Sequence, residues 1–196
     1  MGGDNVTNIQ FLRWSAIGAD EKARLLRRAE TDITNLFPLA QEVIDSVRRG
    51  GDKAVVSYAR KFDAPNFSAK MLRAKPADFR AARKAVSQEV IHAIEAAAAN
   101  IRRFHEEQMP EAMWFTEVAP GIMAGEKISP VSSVGLYVPR GKGAFPSVML
   151  MLATPARVAG VPRLIVVSPP TPDGKADAGS LVAAGVCGGD EVYVGG

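Results

Sequence analysis

The chain has 196 residues, of which 47% are hydrophobic and 23% charged, a balance close to that of soluble globular proteins and far from that of disordered chains. Its 24 basic and 21 acidic residues leave a formal charge of +3 and a pI near 9.1. That small excess forms no clustered basic tract, so a nucleic-acid partner is not expected. A single cysteine, Cys187, excludes an internal disulfide. The N-terminal stretch lacks a secretory leader pattern, and no apolar run reaches the roughly 18 residues that suggest a membrane-spanning helix. A cytoplasmic protein without a membrane partner is therefore expected.

From Asp20 to about Gln108 the pattern is helical and rich in charge. Val43, Ile44, Val47, Val55 and Val56 fall on apolar stripes interrupted at Gly50-Gly51, which reads as a helix C-cap and turn. Asp52 is expected to cap the next helix, which runs to about Phe62. Asp63-Ala64-Pro65-Asn66 then supplies turn chemistry, and Pro76 opens a further helix from its favoured first turn. No breaker is evident from there to Gln108, so one helix about 45 Å long is expected, at about 1.5 Å per residue.

After Pro110 the texture changes. Met113 to Val118 and Gly121 to Ile128 read as short strands around a Pro120-Gly121 turn. Val134 to Val138 is an apolar strand that enters the loop Pro139-Arg140-Gly141-Lys142-Gly143. A helix follows from about Pro146 to Ala159, closed by Gly160. Next come a strand from Leu164 to Ser168, a helix from about Ala176 to Ala184 closed by Gly185, and a strand from Glu191 to Val194.

This alternation, with near-continuous apolar strands, marks a parallel α/β unit. The expected fold class is α/β: a helical N-terminal region, residues 1–112, followed by an incomplete three-stranded parallel βαβαβ Rossmann-like half-domain of the dinucleotide-binding type, residues 113–196. The last strand has no helix after it. A fragment or truncated reading frame is expected, with its third strand exposed.

The loop from Pro139 to Gly143 lies between a strand and a helix, where backbone amides and a helix N-terminus favour anions. It is not a Walker loop, and it lacks the third glycine of a dinucleotide fingerprint. Ser168-Pro169-Pro170 stands where a ribose-binding carboxylate would be expected. On these residues alone the loop is either a phosphate or dinucleotide site or an ordinary strand-to-helix turn. Arg140 and Lys142 are either anion contacts or solvated charges.

His92 and His105, thirteen positions apart on the expected long helix, cannot share a metal ion. No metal constellation and no catalytic triad can be drawn. Cys187 reads as a small core residue, and Glu106, Glu107 and Glu111 as a solvated face.

The run Val134-Gly135-Leu136-Tyr137-Val138-Pro139, then Gly141, Phe145-Pro146-Ser147, Leu150-Met151, Pro155-Ala156 and Val158-Ala159-Gly160, resembles the histidinol dehydrogenase family, as do Ser168-Pro169-Pro170 and Val194-Gly195-Gly196. Upstream, Val43-Ile44, Val47-Arg48, Gly51-Asp52, Tyr58, Phe62-Asp63, Ile101, Phe104-His105 and Gln108 are similar to its N-terminal helices. The resemblance implies NAD-dependent oxidation of L-histidinol to L-histidine in histidine biosynthesis, with zinc holding the substrate in a homodimer. It implies cofactor contact at Tyr137; Pro139, Gly141 and Gly143 of the adjoining loop are the further candidate cofactor-binding residues.

By the same resemblance, the zinc ligands and the Glu-His acid/base pair lie C-terminal to Gly196, so the chain alone is expected to lack catalytic and metal-binding residues and to be inactive, with weak or no NAD binding. Biosynthetic members usually have Val-Pro-Gly-Gly where this chain has Val138-Pro139-Arg140-Gly141-Lys142-Gly143. That departure leaves open a paralogous dehydrogenase of another amino alcohol or of an anionic alcohol. A non-catalytic nucleotide-binding or interaction module is the alternative of another class.

Overall fold

The computed structural model describes residues 11–26, 33–140, 143–189 and 191–196. It divides into two compact units, Met1–Asp45 and Ser46–Gly196. The first contains a 3₁₀ turn at Trp14–Ala16, helix α1 (Ala19–Leu26) and a second 3₁₀ turn at Thr34–Leu36. Within α1, Arg24 pairs with Glu21 at 2.6 Å, one turn apart on the same face. Helix α2 comprises Phe37–Gly50.

The larger unit continues with α3 (Asp52–Phe62), α4 (Pro76–Ala85), α5 (Gln88–Glu106), β1 (Met113–Ala119), β2 (Ile122–Lys127), β3 (Ser133–Tyr137), α6 (Pro146–Val158), β4 (Arg163–Ser168), α7 (Ala178–Val186) and β5 (Glu191–Val194). β3, β4 and β5 form a parallel sheet in that order, and β1 and β2 form a separate antiparallel hairpin.

Two expectations are corrected within the helices. Gly51, not Asp52, occupies the cap of α3: its φ of 53° and ψ of −140° suit a residue without a side chain, and Asp52 is the first helical residue. The long helix is two helices. Ser87 adopts an extended conformation, φ −64° and ψ 150°, and its hydroxyl accepts from the Val90 amide at 3.4 Å. It therefore caps α5 and ends the continuity that apolar spacing implied.

α5 buries Ile91, Ile94 and Ala98, a stripe at spacings of three and four that faces α6 and α7. α4 packs on α7. α7 has no polar face: Leu181, Val182, Ala183 and Ala184 are all buried, as its position between sheet and outer helices requires. The core unites these helices with Leu136, Val138, Leu164, Val166 and Val192 from one face of the sheet. Cys187 is buried in this core, its sulfur 3.2 Å from Thr154 Oγ1. Arg157 ties two turns together, donating to Val161 O at 3.1 Å, Pro162 O at 2.9 Å and also to Gly188 O.

The opposite face of the sheet carries Gly135 and Tyr137 from β3, Ile165 and Val167 from β4 and Tyr193 from β5, because strand side chains alternate. These residues are exposed or half-buried, and none belongs to either core cluster.

The expected exposure of the third strand is also corrected. The segment Leu72–Ala74 lies antiparallel along the outer edge of β5, with Ala74 N donating to Val192 O at 2.9 Å and Val194 N to Leu72 O at 2.8 Å. Arg73 and Tyr193 form the bridge between them. A second core cluster of Val56, Ala59, Ala64, Phe67 and Val194 holds this segment in place.

Candidate cofactor site at the carboxyl ends of the strands

β3 delivers Tyr137 to the carboxyl end of the sheet, in register with Val167 of β4. Leu136 and Val138, at 7% and 0% exposure, anchor the strand in the core, so Tyr137 between them projects from the other face and is 54% exposed. Val138 N still donates to Val167 O at 2.9 Å, and the chain leaves the sheet only at Pro139, which has no amide hydrogen to contribute. Pro139 is exposed, as is Gly143, where an added Cβ would meet nothing within 4 Å. Gly141 and Lys142 lie outside the described residues.

α6 starts at Pro146 without a side-chain cap. Its first turn therefore presents a partial positive charge beside the loop. Arg140 is half-buried, and its Nε is shielded from solvent without a hydrogen-bond partner. A buried guanidinium N–H left unpaired is costly, and an anionic group in the loop would satisfy it.

The neighbouring strands end close by. Gly195 N donates to Ser168 O at 2.9 Å, and Pro169 and Pro170 are buried immediately beyond β4. A Cβ on Gly196 would come 3.2 Å from Pro169 Cγ, so a side chain there would crowd the crevice. No carboxylate ends β4, but one arrives from elsewhere: Asp63, at the C-cap of α3, places Oδ2 3.6 Å from that same Cβ position. Burial pushes the Asp63 carboxyl above the usual aspartate range. In the sequence Asp63 reads only as turn chemistry and as part of the N-terminal helical signature.

A groove of about 640 Å³ lies apart from this site, between α4 and the loop before α7. Its acids are engaged within the fold. Asp78 accepts from Lys75 N at 2.7 Å, Asp177 caps α7 by accepting from Ser180 N at 2.8 Å, and Asp173 pairs with Lys175 at 3.1 Å. Neither Tyr137 nor the Pro139 loop lines it.

The histidines do not meet. His92 is exposed and sits 2.9 Å from Gln88 Nε2, while half-buried His105 stacks edge-on against Phe104. Among the described residues no group of three or more His, Cys, Asp or Glu side chains is placed to hold a metal ion. Nor is any helix among them long and apolar enough to cross a membrane.

A parallel βαβαβ unit whose crossover helices pack on one face of a three-stranded sheet defines an incomplete Rossmann-like α/β domain. Residues 26–196 match the sequence model of the histidinol dehydrogenase family, and the chain belongs to that family. It is 47% identical over 188 residues to a histidinol dehydrogenase homolog of Rhizobium meliloti (strain 1021), an alignment covering 96% of this chain and 41% of the relative. It is also 47% identical over 184 residues to histidinol dehydrogenase of Synechocystis, covering 94% of this chain and 42% of that protein.

The crystal structure of histidinol dehydrogenase from Elizabethkingia anophelis matches with a TM-score of 0.82 and 29% identity, over 92% of this chain and 41% of that one. The chain thus spans about two-fifths of the length of these relatives and corresponds to their N-terminal portion.

Proposed function

We propose that this chain supplies the cofactor-facing N-terminal half of a cytoplasmic NAD-dependent alcohol dehydrogenase that oxidises L-histidinol to L-histidine. The observation that carries this reading is the position of Tyr137, exposed at the carboxyl end of β3 while Leu136 and Val138 on either side are buried. In that position its ring offers a flat surface to the cofactor. Pro139, Gly141 and Gly143 let the backbone turn close to a dinucleotide, and Arg140 offers an N–H to its phosphates. Bound NAD supplies the hydride acceptor. Binding and orienting that acceptor is the part assigned to this chain.

The described residues do not fit a zinc ion, because no group of three or more His, Cys, Asp or Glu side chains among them is placed to hold one. No step is assigned to a metal here, and the zinc ligands, the acid/base pair and any homodimer contacts are placed in the longer remainder of the relatives. The chain alone should therefore form no NADH from L-histidinol. Measurable turnover by the purified 196-residue protein would sink this division of labour. The binding half of the proposal is tested by NAD titration of the wild type and Tyr137→Ala.

A second reading concerns the substrate. Arg140 with its unpaired Nε favours a paralogue whose alcohol is anionic, since the guanidinium would then pair with the substrate. A panel of amino alcohols and anionic alcohols, tested on this half joined to the remainder of a relative, separates the two readings.

A further inference from the structure

We infer that the groove between α4 and the loop leading into α7 is a binding site for a free α-amino acid with a large uncharged side chain. Neither Tyr137 nor its loop lines the groove, so the inference does not depend on the cofactor proposal.

The groove holds about 640 Å³, within the roughly 300–1,000 Å³ of small-molecule sites. One wall is preformed. Thr171 closes the loop onto Lys175 O through its amide and its hydroxyl, both at 2.8 Å, and Gly174 N donates to Thr171 O at 2.7 Å. The other wall is one face of α4, because Lys75, Asp78, Ala81, Ala82 and Ala85 line the groove at the spacing of three and four that keeps residues together on a helix.

The charges on the lining decide what fits. Four cationic side chains, from Lys70, Arg73, Lys75 and Lys175, share it with the carboxylates of Asp78, Asp173 and Asp177. A lining of mixed sign favours neither a plain anion nor a plain cation. Asp173 and Lys175 pair with each other, and Arg73 lies over the Tyr193 ring. Asp78 and Asp177 each give one oxygen to a backbone amide, of Lys75 and Ser180 respectively. Among the described residues the second oxygen of each has no partner, and neither Lys70 Nζ nor Lys75 Nζ has an ion pair. Free acceptors and free ammonium donors on one small surface call for a ligand carrying both charges.

Geometry narrows the class of zwitterion. Lys75 and Asp78 stand three positions apart at the start of α4, about 5–6 Å between Cβ atoms. That separation suits an ammonium and a carboxylate carried on one carbon, whereas charges at the two ends of a long ligand would overshoot it. The same face continues into Ala81, Ala82 and Ala85, and buried Leu181 of α7 completes an apolar floor. An amino acid bound at Lys75 and Asp78 lays its side chain along that floor.

The test is calorimetric titration of the purified 196-residue chain with L-phenylalanine, L-leucine and L-methionine, and with phenylacetate and phenethylamine, which each keep one charge. Saturable binding of at least one amino acid is expected, with the single-charge analogues roughly tenfold weaker or worse, the loss of one charge-assisted hydrogen bond. Asp78→Asn keeps an acceptor for Lys75 N and should weaken the amino acid by a similar factor. Ala85→Leu, at an exposed position, should fill the apolar end and abolish binding. If Asp78→Asn lowers the melting temperature, Lys75→Gln, which leaves the backbone cap intact, replaces it with the same expectation. No saturable binding to the folded chain would overturn the inference. Phenylacetate binding as tightly as the amino acids would reduce the groove to a plain anion site and overturn it too, as would amino-acid binding indifferent to both substitutions.

Discussion

Arg73 and Tyr193 face each other across an antiparallel bridge, with the guanidinium carbon of Arg73 5.7 Å from the centre of the Tyr193 ring. Around this pair the segment Leu72–Ala74 satisfies the backbone groups of β5 that would otherwise template pairing with another chain. Ala74→Pro removes the amide that donates to Val192 O. The expected cost is about 1–3 kcal/mol for the unsatisfied carbonyl, together with concentration-dependent self-association. Urea unfolding and light scattering check both, and an unchanged midpoint with no association would show that the edge is protected by something else.

Ser87→Ala should separate the two halves of the α4–α5 region. Loss of the hydroxyl cap on Val90 N is expected to cost about 1 kcal/mol, and Ser87→Asn to restore most of it. Amide exchange at residues 88–91 should rise in the alanine variant more than exchange in the centre of α5.

Gly125 is the point of closest approach between the strands of the β1–β2 hairpin. It lies opposite Phe115, and a Cβ there would come 2.0 Å from Trp114 O and 2.8 Å from Phe115 Cδ1. Gly125→Ala should therefore open the hairpin while the parallel sheet stays folded. Two-dimensional NMR would register lost cross-strand contacts between residues 113–119 and 122–127 with unchanged signals from β3 to β5; an intact hairpin would contradict this.

Asp63 sets a pH dependence. Its folded pKa lies above the usual aspartate value because burial disfavours the charged carboxylate. With the folded value above the unfolded one, the folded state binds the proton more tightly. The destabilisation is fully present above the folded pKa and fades as pH falls through it toward the unfolded value. Asp63→Asn should accordingly be slightly more stable than the wild type at neutral pH, with the difference vanishing in acid. Equal melting temperatures across the range would remove Asp63 from the account.

The parallel unit was legible because its signals are local. Val134 to Val138, Leu164 to Ser168 and Glu191 to Val194 are apolar runs set off by proline and glycine, and each crossover helix starts and stops near such a residue. The α4–α5 break was not legible from periodicity, because Ala85, Val86 and Val90 continue an apolar helical spacing through Ser87. Only the capping hydroxyl distinguishes it. The closing of β5 by Leu72–Ala74 has no periodic signature at all, since three residues pair with a strand far along the chain. The candidate site divides in the same way. Tyr137 and its loop follow from strand alternation, whereas Asp63 reaches the crevice only through the packing of Ala59, Ala64 and Phe67 around Val194.

A dinucleotide held by the β3–α6 turn is detected by calorimetric titration of NAD into the purified chain and into Tyr137→Ala. Saturable binding to the wild type, weakened at least tenfold by the substitution in a variant with an unchanged melting temperature, is the expected result. Binding indifferent to Tyr137, or no binding to a demonstrably folded wild type, would contradict the placement of a cofactor half-site in this chain.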